Sequence, residues 1–62
     1  MDETIQSWIE YVLERRKVIV DYIIREYQIT GRYPSKPEIA YLFDVSIEFA
    51  KSCIKRAREN RP

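Results

Sequence analysis

Cationic and hydroxyl side chains recur at helical spacing near the end of this 62-residue chain. Lys51 and Lys55 lie four residues apart, Ser52 follows Lys51, and Glu48 precedes all three. Lysine pairs with phosphate and guanine acceptors, a hydroxyl donates or accepts, and a carboxylate accepts from the amino group of cytosine. Residues 51–62 carry five bases against one acid, a balance of +4. This segment has the chemistry of a surface that binds nucleic acid.

Catalytic and metal-binding chemistry lacks its usual side chains. The chain has no His, one Cys and one Gly. The commonest general base is therefore missing, no cysteine cluster can hold a metal, and a glycine-rich phosphate loop cannot form. We expect no enzyme and no cofactor. Cys53 is expected to pack as a small buried hydrophobe.

Two helix-start signals place the basic segment on the second of two short helices. Ser35 and Glu38 have the spacing of a capping box, in which each side chain accepts from the backbone N–H of the other residue. An apolar helical face follows and is interrupted after Phe43. Ser46 can then cap a helix that runs from Ile47 to about residue 59. Two short helices joined by about three residues are typical of a helix-turn-helix motif.

A longer helix is expected before this pair, from Thr4 to about Gln28. Its apolar residues follow the i, i+3, i+4, i+7 pattern of an amphipathic helix. Gly31 can end it in the left-handed conformation. Since no Pro or Gly interrupts the pattern, we favour one continuous helix over a break at residues 15–17. The three consecutive bases there either contact phosphate or remain solvated.

Charge divides the chain into two expected parts. Residues 1–14 carry four acids and no base, giving −4, whereas residues 15–62 carry eleven bases and six acids, giving +5. We interpret residues 1–14 as a dimerisation extension of the first helix, and residues 15–62 as a helix-turn-helix DNA-binding domain. A chain of this size cannot easily bury all its apolar side chains, which favours self-association. The expected dimer interface comprises Ile5, Trp8, Ile9, Tyr11 and Val12.

The candidate DNA-contacting residues lie on the solvent face of the last helix and before the second helix. The alternative for the charged ones is a simply solvated face, and Tyr33 could equally pack on the core. The candidates are Arg32, Tyr33, Ser35, Lys36, Ser46, Glu48, Lys51, Ser52, Lys55, Arg56 and Arg58.

From Gly31 to Ala40 the chain resembles the DNA-binding domain of the SOS-response repressor and related winged helix-turn-helix regulators. The residues that carry the resemblance are Gly31, Pro34, Ser35, Glu38, Ile39 and Ala40. The resemblance covers about residues 15–59 and implies that the helix beginning near Ser46 is the recognition helix. The chain departs from that family because it lacks the two-stranded wing and has an acidic N-terminal helix. Its composition also resembles small archaeal, viral or plasmid regulators.

These observations predict an all-α fold with a long first helix followed by a helix-turn-helix. The expected function is sequence-specific binding of double-stranded DNA by a homodimeric transcriptional regulator such as a repressor. The alternative is a small helical adaptor that binds a protein partner through its apolar first helix. No apolar run approaches the roughly 20 residues of a membrane span, and no signal-peptide pattern is present. We therefore expect a cytoplasmic protein without membrane contact.

Overall fold

The computed structural model describes residues 3–60 of the chain, with side chains described from residue 7 onward. Its order of elements is α1 (Glu3–Thr30), α2 (Lys36–Phe43) and α3 (Ile47–Glu59). No strand occurs within the described residues. The predicted all-α fold, with a long helix followed by two short ones, is confirmed.

The first helix is continuous, as expected, and ends at a glycine. Its 28 residues run through positions 15–17 without a break. Gly31 adopts φ of +79°, and its N–H donates to the carbonyl of Tyr27 at 2.7 Å. The Thr30 hydroxyl donates to the carbonyl of Glu26 at 2.9 Å and accepts from the N–H of Arg32 at 3.1 Å. Gly31 is therefore the point at which the chain turns toward α2.

A small apolar core holds the three helices together. Ile19 and Ile23 of α1, Ile39 of α2, and Ala50 and Cys53 of α3 are fully buried. The small side chains on α3 let its backbone approach the branched side chains of the other two helices. The expected burial of Cys53 is confirmed. Because α3 packs on both α1 and α2, its orientation is fixed from two sides.

The three-residue connection between α2 and α3 is a tight turn that ends one helix and caps the next. Asp44 adopts the left-handed conformation, with φ of 55° and ψ of 51°. The backbone N–H groups of Asp44 and Val45 both donate to the carbonyl of Ala40. The Ser46 hydroxyl accepts from the N–H of Phe49 at 3.1 Å, which caps α3 as expected.

The first half of α1 extends beyond the core. Residues 7–14 are exposed, apart from Val12, which is half-buried. The helix spans about 42 Å at 1.5 Å per residue, and the longest dimension of the molecule is 44 Å. Among residues 3–60, no helix combines the length and the apolar character needed to cross a lipid bilayer.

Candidate nucleic-acid interface

The loop after α1, the start of α2 and the second half of α3 enclose an open cleft of about 670 Å³. Four cationic side chains and one acid line it, so its local balance is +3. We call it the basic cleft. It is lined by Tyr33, Pro34, Ser35, Lys36, Pro37, Lys51, Ile54, Lys55, Arg58 and Glu59.

Helical periodicity explains why α3 contributes three of these cations. Lys51, Lys55 and Arg58 follow one another at intervals of four and three residues, so they share one face of the helix. Ala50, Cys53 and the other core residues occupy the opposite face. Lys51 and Lys55 are exposed and have no ion-pair partner within residues 3–60. Their charge is therefore available to a ligand.

The start of α2 forms another wall of the cleft. The Ser35 hydroxyl accepts from the N–H of Glu38 at 3.3 Å, which is one of the two bonds of the expected capping box. Ser35, Lys36 and Pro37 all line the cleft. The positive end of the α2 dipole therefore adds to the cationic side chains, and both favour an anion.

Tyr33 holds the loop against the ends of α1 and α3. Its ring stacks on Tyr27, with the centroids 4.3 Å apart and the planes 17° from parallel. The guanidinium carbon of Arg58 lies 5.7 Å from the Tyr33 centroid, a cation–π contact that keeps Arg58 at the cleft. The Tyr33 hydroxyl oxygen is buried and has no hydrogen-bond partner within the described residues. Tyr33 thus has a structural role, in addition to lining the cleft.

The structure brings six of the eleven candidate DNA-contacting residues together in the basic cleft. They are Tyr33, Ser35, Lys36, Lys51, Lys55 and Arg58.

The other five candidates lie outside the cleft. Arg32 and Glu48 are exposed, whereas Ser46 is occupied as the cap of α3. The Ser52 hydroxyl donates to the carbonyl of Phe49 at 2.8 Å and is half-buried. Arg56 lies on the α1 side of α3, in a depression that it shares with Asp21.

Two bases of α1 have partners that sequence reasoning missed. The Arg15 guanidinium donates to the carbonyl of Phe43, the last residue of α2. The guanidinium carbon of Arg16 lies 5.5 Å from the centroid of the Phe49 ring. Both bases therefore tie α1 to the other helices. Of the bases at positions 15–17, Lys17 alone is exposed. Its position fits the alternative that these bases are solvated.

A further depression, of about 440 Å³, lies between the first half of α1 and the turn that joins α2 to α3. We call it the aromatic groove. Trp8 and Tyr11 lie at its rim, with 66% and 62% of their surface exposed to solvent. The groove shares no lining residue with the basic cleft. Its lining comprises Trp8, Tyr11, Val12, Arg15, Asp44, Val45, Ser46 and Phe49.

The expected dimer residues are distributed around the first half of α1. Trp8, Tyr11 and Val12 line the aromatic groove, whereas Ile9 is 48% exposed and lies outside it. The side chain of Ile5 lies outside the described residues.

Titratable groups of the core do not form a reactive site. Burial raises the pKa of the Cys53 thiol, and the nearby Arg16 guanidinium offsets part of that shift. The thiol is therefore protonated near neutral pH, which makes it a poor nucleophile. Within the described residues, no group of three or more His, Cys, Asp or Glu side chains is arranged to hold a metal ion.

Comparisons with protein-family models, with curated proteins and with solved structures found no match to this chain.

Proposed function

We propose that this protein binds double-stranded DNA through the basic cleft and the adjoining exposed face of α3, and that it regulates transcription in the cytoplasm. The observation that carries the proposal is the convergence of Lys36, Lys51, Lys55 and Arg58 on the N-terminus of α2. Two independent sources of positive potential thus meet on one surface. The likeness to winged helix-turn-helix regulators at residues 31–40 supports the same function.

The dimensions of α3 suit the major groove of DNA. A helix with its side chains is about 10–12 Å across, and the major groove is about 12 Å wide. With α3 in the groove, Lys51 and Lys55 reach base edges or phosphates, and Glu48 accepts from a cytosine amino group. Lys36, Arg58 and the start of α2 contact the phosphate backbone. The backbone contacts supply affinity, and the α3 side chains supply sequence preference.

The roles of the remaining candidates follow from their positions. Ser46 orients the start of α3 as its cap, and the Ser52 hydroxyl can still accept a hydrogen bond while it donates to Phe49. Arg32 lies in the loop before the cleft and reaches a flanking phosphate. Arg56 lies on the α1 side and contributes only long-range attraction, because about 100° of helix rotation separates it from Lys55.

The test is a fluorescence-anisotropy titration of labelled random-sequence duplex at two salt concentrations. Four phosphate contacts give a slope of log K against log salt of about −3.6, so raising salt from about 50 to 200 mM should weaken binding by roughly 100-fold. Selection from a random duplex pool should then yield a recurrent sequence motif. A duplex that does not bind at the lower salt concentration overturns the proposal.

A second candidate function is a small helical adaptor that binds another protein through α1. The observation that favours it is the exposure of Trp8 and Tyr11, since exposed aromatic side chains are enriched in protein interfaces. The titration distinguishes the two functions, because an adaptor of this kind does not require the basic cleft. Failure to bind duplex DNA, together with capture of a protein partner that depends on Trp8, would favour the adaptor.

A further inference from the structure

A regular stripe of side chains begins at the aromatic groove and continues along α1. Trp8, Tyr11, Arg15 and Val18 are separated by three, four and three residues, which is the a/d spacing of a coiled coil. Trp8, Tyr11 and Val18 are each more than half exposed. Among residues 7–60, Arg15 donates a hydrogen bond to the carbonyl of Phe43. Within the described residues, no helix faces this stripe.

We propose that the aromatic groove holds α1 of a second copy of this chain, in the antiparallel direction. In this homodimer Trp8 of each copy packs against Tyr11 of the other, which is an a-to-d layer of an antiparallel pair. In the proposed dimer, Val12, Val45 and Phe49 of one copy line the groove and contact α1 of the other copy. The arrangement has two-fold symmetry, so the contact between Trp8 of one copy and Tyr11 of the other occurs twice in the dimer. It goes beyond DNA binding and does not depend on it.

Charge complementarity selects a second copy and its direction. Residues 1–14 carry −4, and the next three residues, Arg15, Arg16 and Lys17, carry +3. In the antiparallel pair with Trp8 against Tyr11, the acidic first part of one helix runs toward residues 15–17 of the other. Lys17 is exposed there, whereas Arg15 and Arg16 already have partners within their own chain. A parallel pair would instead place acid against acid and base against base. The charges of two α1 helices are therefore complementary when the helices are antiparallel.

Trp8 and Tyr11 of the two copies supply part of the area that a dimer interface needs. A buried aromatic side chain removes about 150–250 Å² from water. Trp8 and Tyr11 expose roughly two thirds of their surface, so the four aromatic side chains of two copies supply roughly 400–670 Å². A specific interface needs about 1,200 Å² or more in total. Val12, Val45 and Phe49, together with the stems of the flanking charged residues, must supply the remainder.

The dimer leaves the basic cleft accessible. The two depressions share no lining residue, and the acidic segment that enters the interface is the part of the chain least suited to DNA. Two basic clefts are therefore present in one particle. Because the dimer is tested on protein alone, its failure and the failure of DNA binding are separate results.

The first experiment measures association of the full chain without DNA. Sedimentation equilibrium should show a monomer–dimer equilibrium in the micromolar range. Trp8 is the only tryptophan, so its emission should shift to shorter wavelength as protein concentration rises through the same range. Trp8→Ala and Tyr11→Ala should each weaken dimerisation at least tenfold. The matched control is Leu13→Ala, which is 57% exposed on the same helix but outside the groove and should leave the equilibrium unchanged.

The second experiment tests the direction of the pair. Ser7 and Glu14 are exposed and flank the stripe. Copies carrying Ser7→Cys should form disulfides with copies carrying Glu14→Cys faster than either variant does with itself. Cys53 is buried and does not interfere. Preferential Ser7→Cys self-linking would show a parallel pair and overturn the proposed direction, and a monomer at tens of micromolar overturns the dimer itself.

Discussion

The Arg15 side chain of α1 donates a hydrogen bond to the carbonyl oxygen of Phe43, the residue at which α2 ends. The last carbonyls of a helix lack partners within that helix. A cation at that end also interacts favourably with the helix dipole. The bond joins two helices that also contact each other through the edge-to-face rings of Tyr22 and Phe43, 5.3 Å apart.

Replacing Arg15 with Met should therefore destabilise the fold while keeping the apolar stem of the side chain. The expected loss is about 1–2 kcal/mol, because the bond involves a charged donor and is only partly buried. Thermal unfolding measures the loss. Arg25→Met is the control, since Arg25 is exposed on the same helix and should be neutral. Equal melting temperatures for the two variants would show that the bond has no energetic role.

Lys51 and Lys55 should each contribute one phosphate contact or one base contact. If Lys51→Ala removes a phosphate contact, the slope of log K against log salt should fall in magnitude by about 0.9, with affinity reduced uniformly across sequences. If it removes a base contact, sequence preference should relax at one position. The salt slope and the sequence preference are measured in the same way for Lys55→Ala. Lys17→Ala on α1 is the control. If neither cleft variant differs from that control, α3 is not the recognition helix.

Removing the buried Tyr33 hydroxyl should stabilise the free protein. The ring makes the stacking contact with Tyr27, whereas the hydroxyl has no partner within the described residues. Tyr33→Phe keeps the stack and removes an unsatisfied polar atom, which is expected to gain about 1 kcal/mol. Chemical denaturation measures the change, with Tyr41→Phe at an 86% exposed position as the control. A less stable Tyr33→Phe variant would mean that the hydroxyl donates to a group in solution.

Asp44 occupies a backbone conformation that favours glycine. A φ of 55° costs a residue with a side chain about 1–2 kcal/mol, and glycine avoids this cost. The net gain from glycine is smaller, because glycine loses more conformational entropy on folding. Asp44→Gly should therefore raise the melting temperature slightly, and Asp44→Val should lower it by more. The comparison uses two variants at one exposed position, so lost contacts contribute little. A Val variant as stable as the Gly variant would contradict the turn geometry.

Local sequence signals predicted the helices well, because caps and breaks act over three or four residues. Ser35, Ser46 and Gly31 each marked a boundary that the structure contains. Tertiary partners were less accessible to sequence reasoning. Nothing in three consecutive bases indicates that Arg15 reaches the end of α2 and that Arg16 lies over Phe49. Arg56 is a sequence candidate as one of the bases of α3, but adjacent helical residues point about 100° apart and Arg56 lies on the α1 side of the helix.

The uneven burial of α1 has a consequence for hydrogen exchange. Amides near Ile19 and Ile23 are expected to exchange only through global unfolding, because both side chains lie fully in the core. Amides of residues 7–14 can exchange through local unwinding from the N-terminal end, since few tertiary contacts oppose it. One unbroken helix thus contains two cooperative units. The outer unit gains protection only when something binds it, so its exchange rate reports occupancy rather than fold stability.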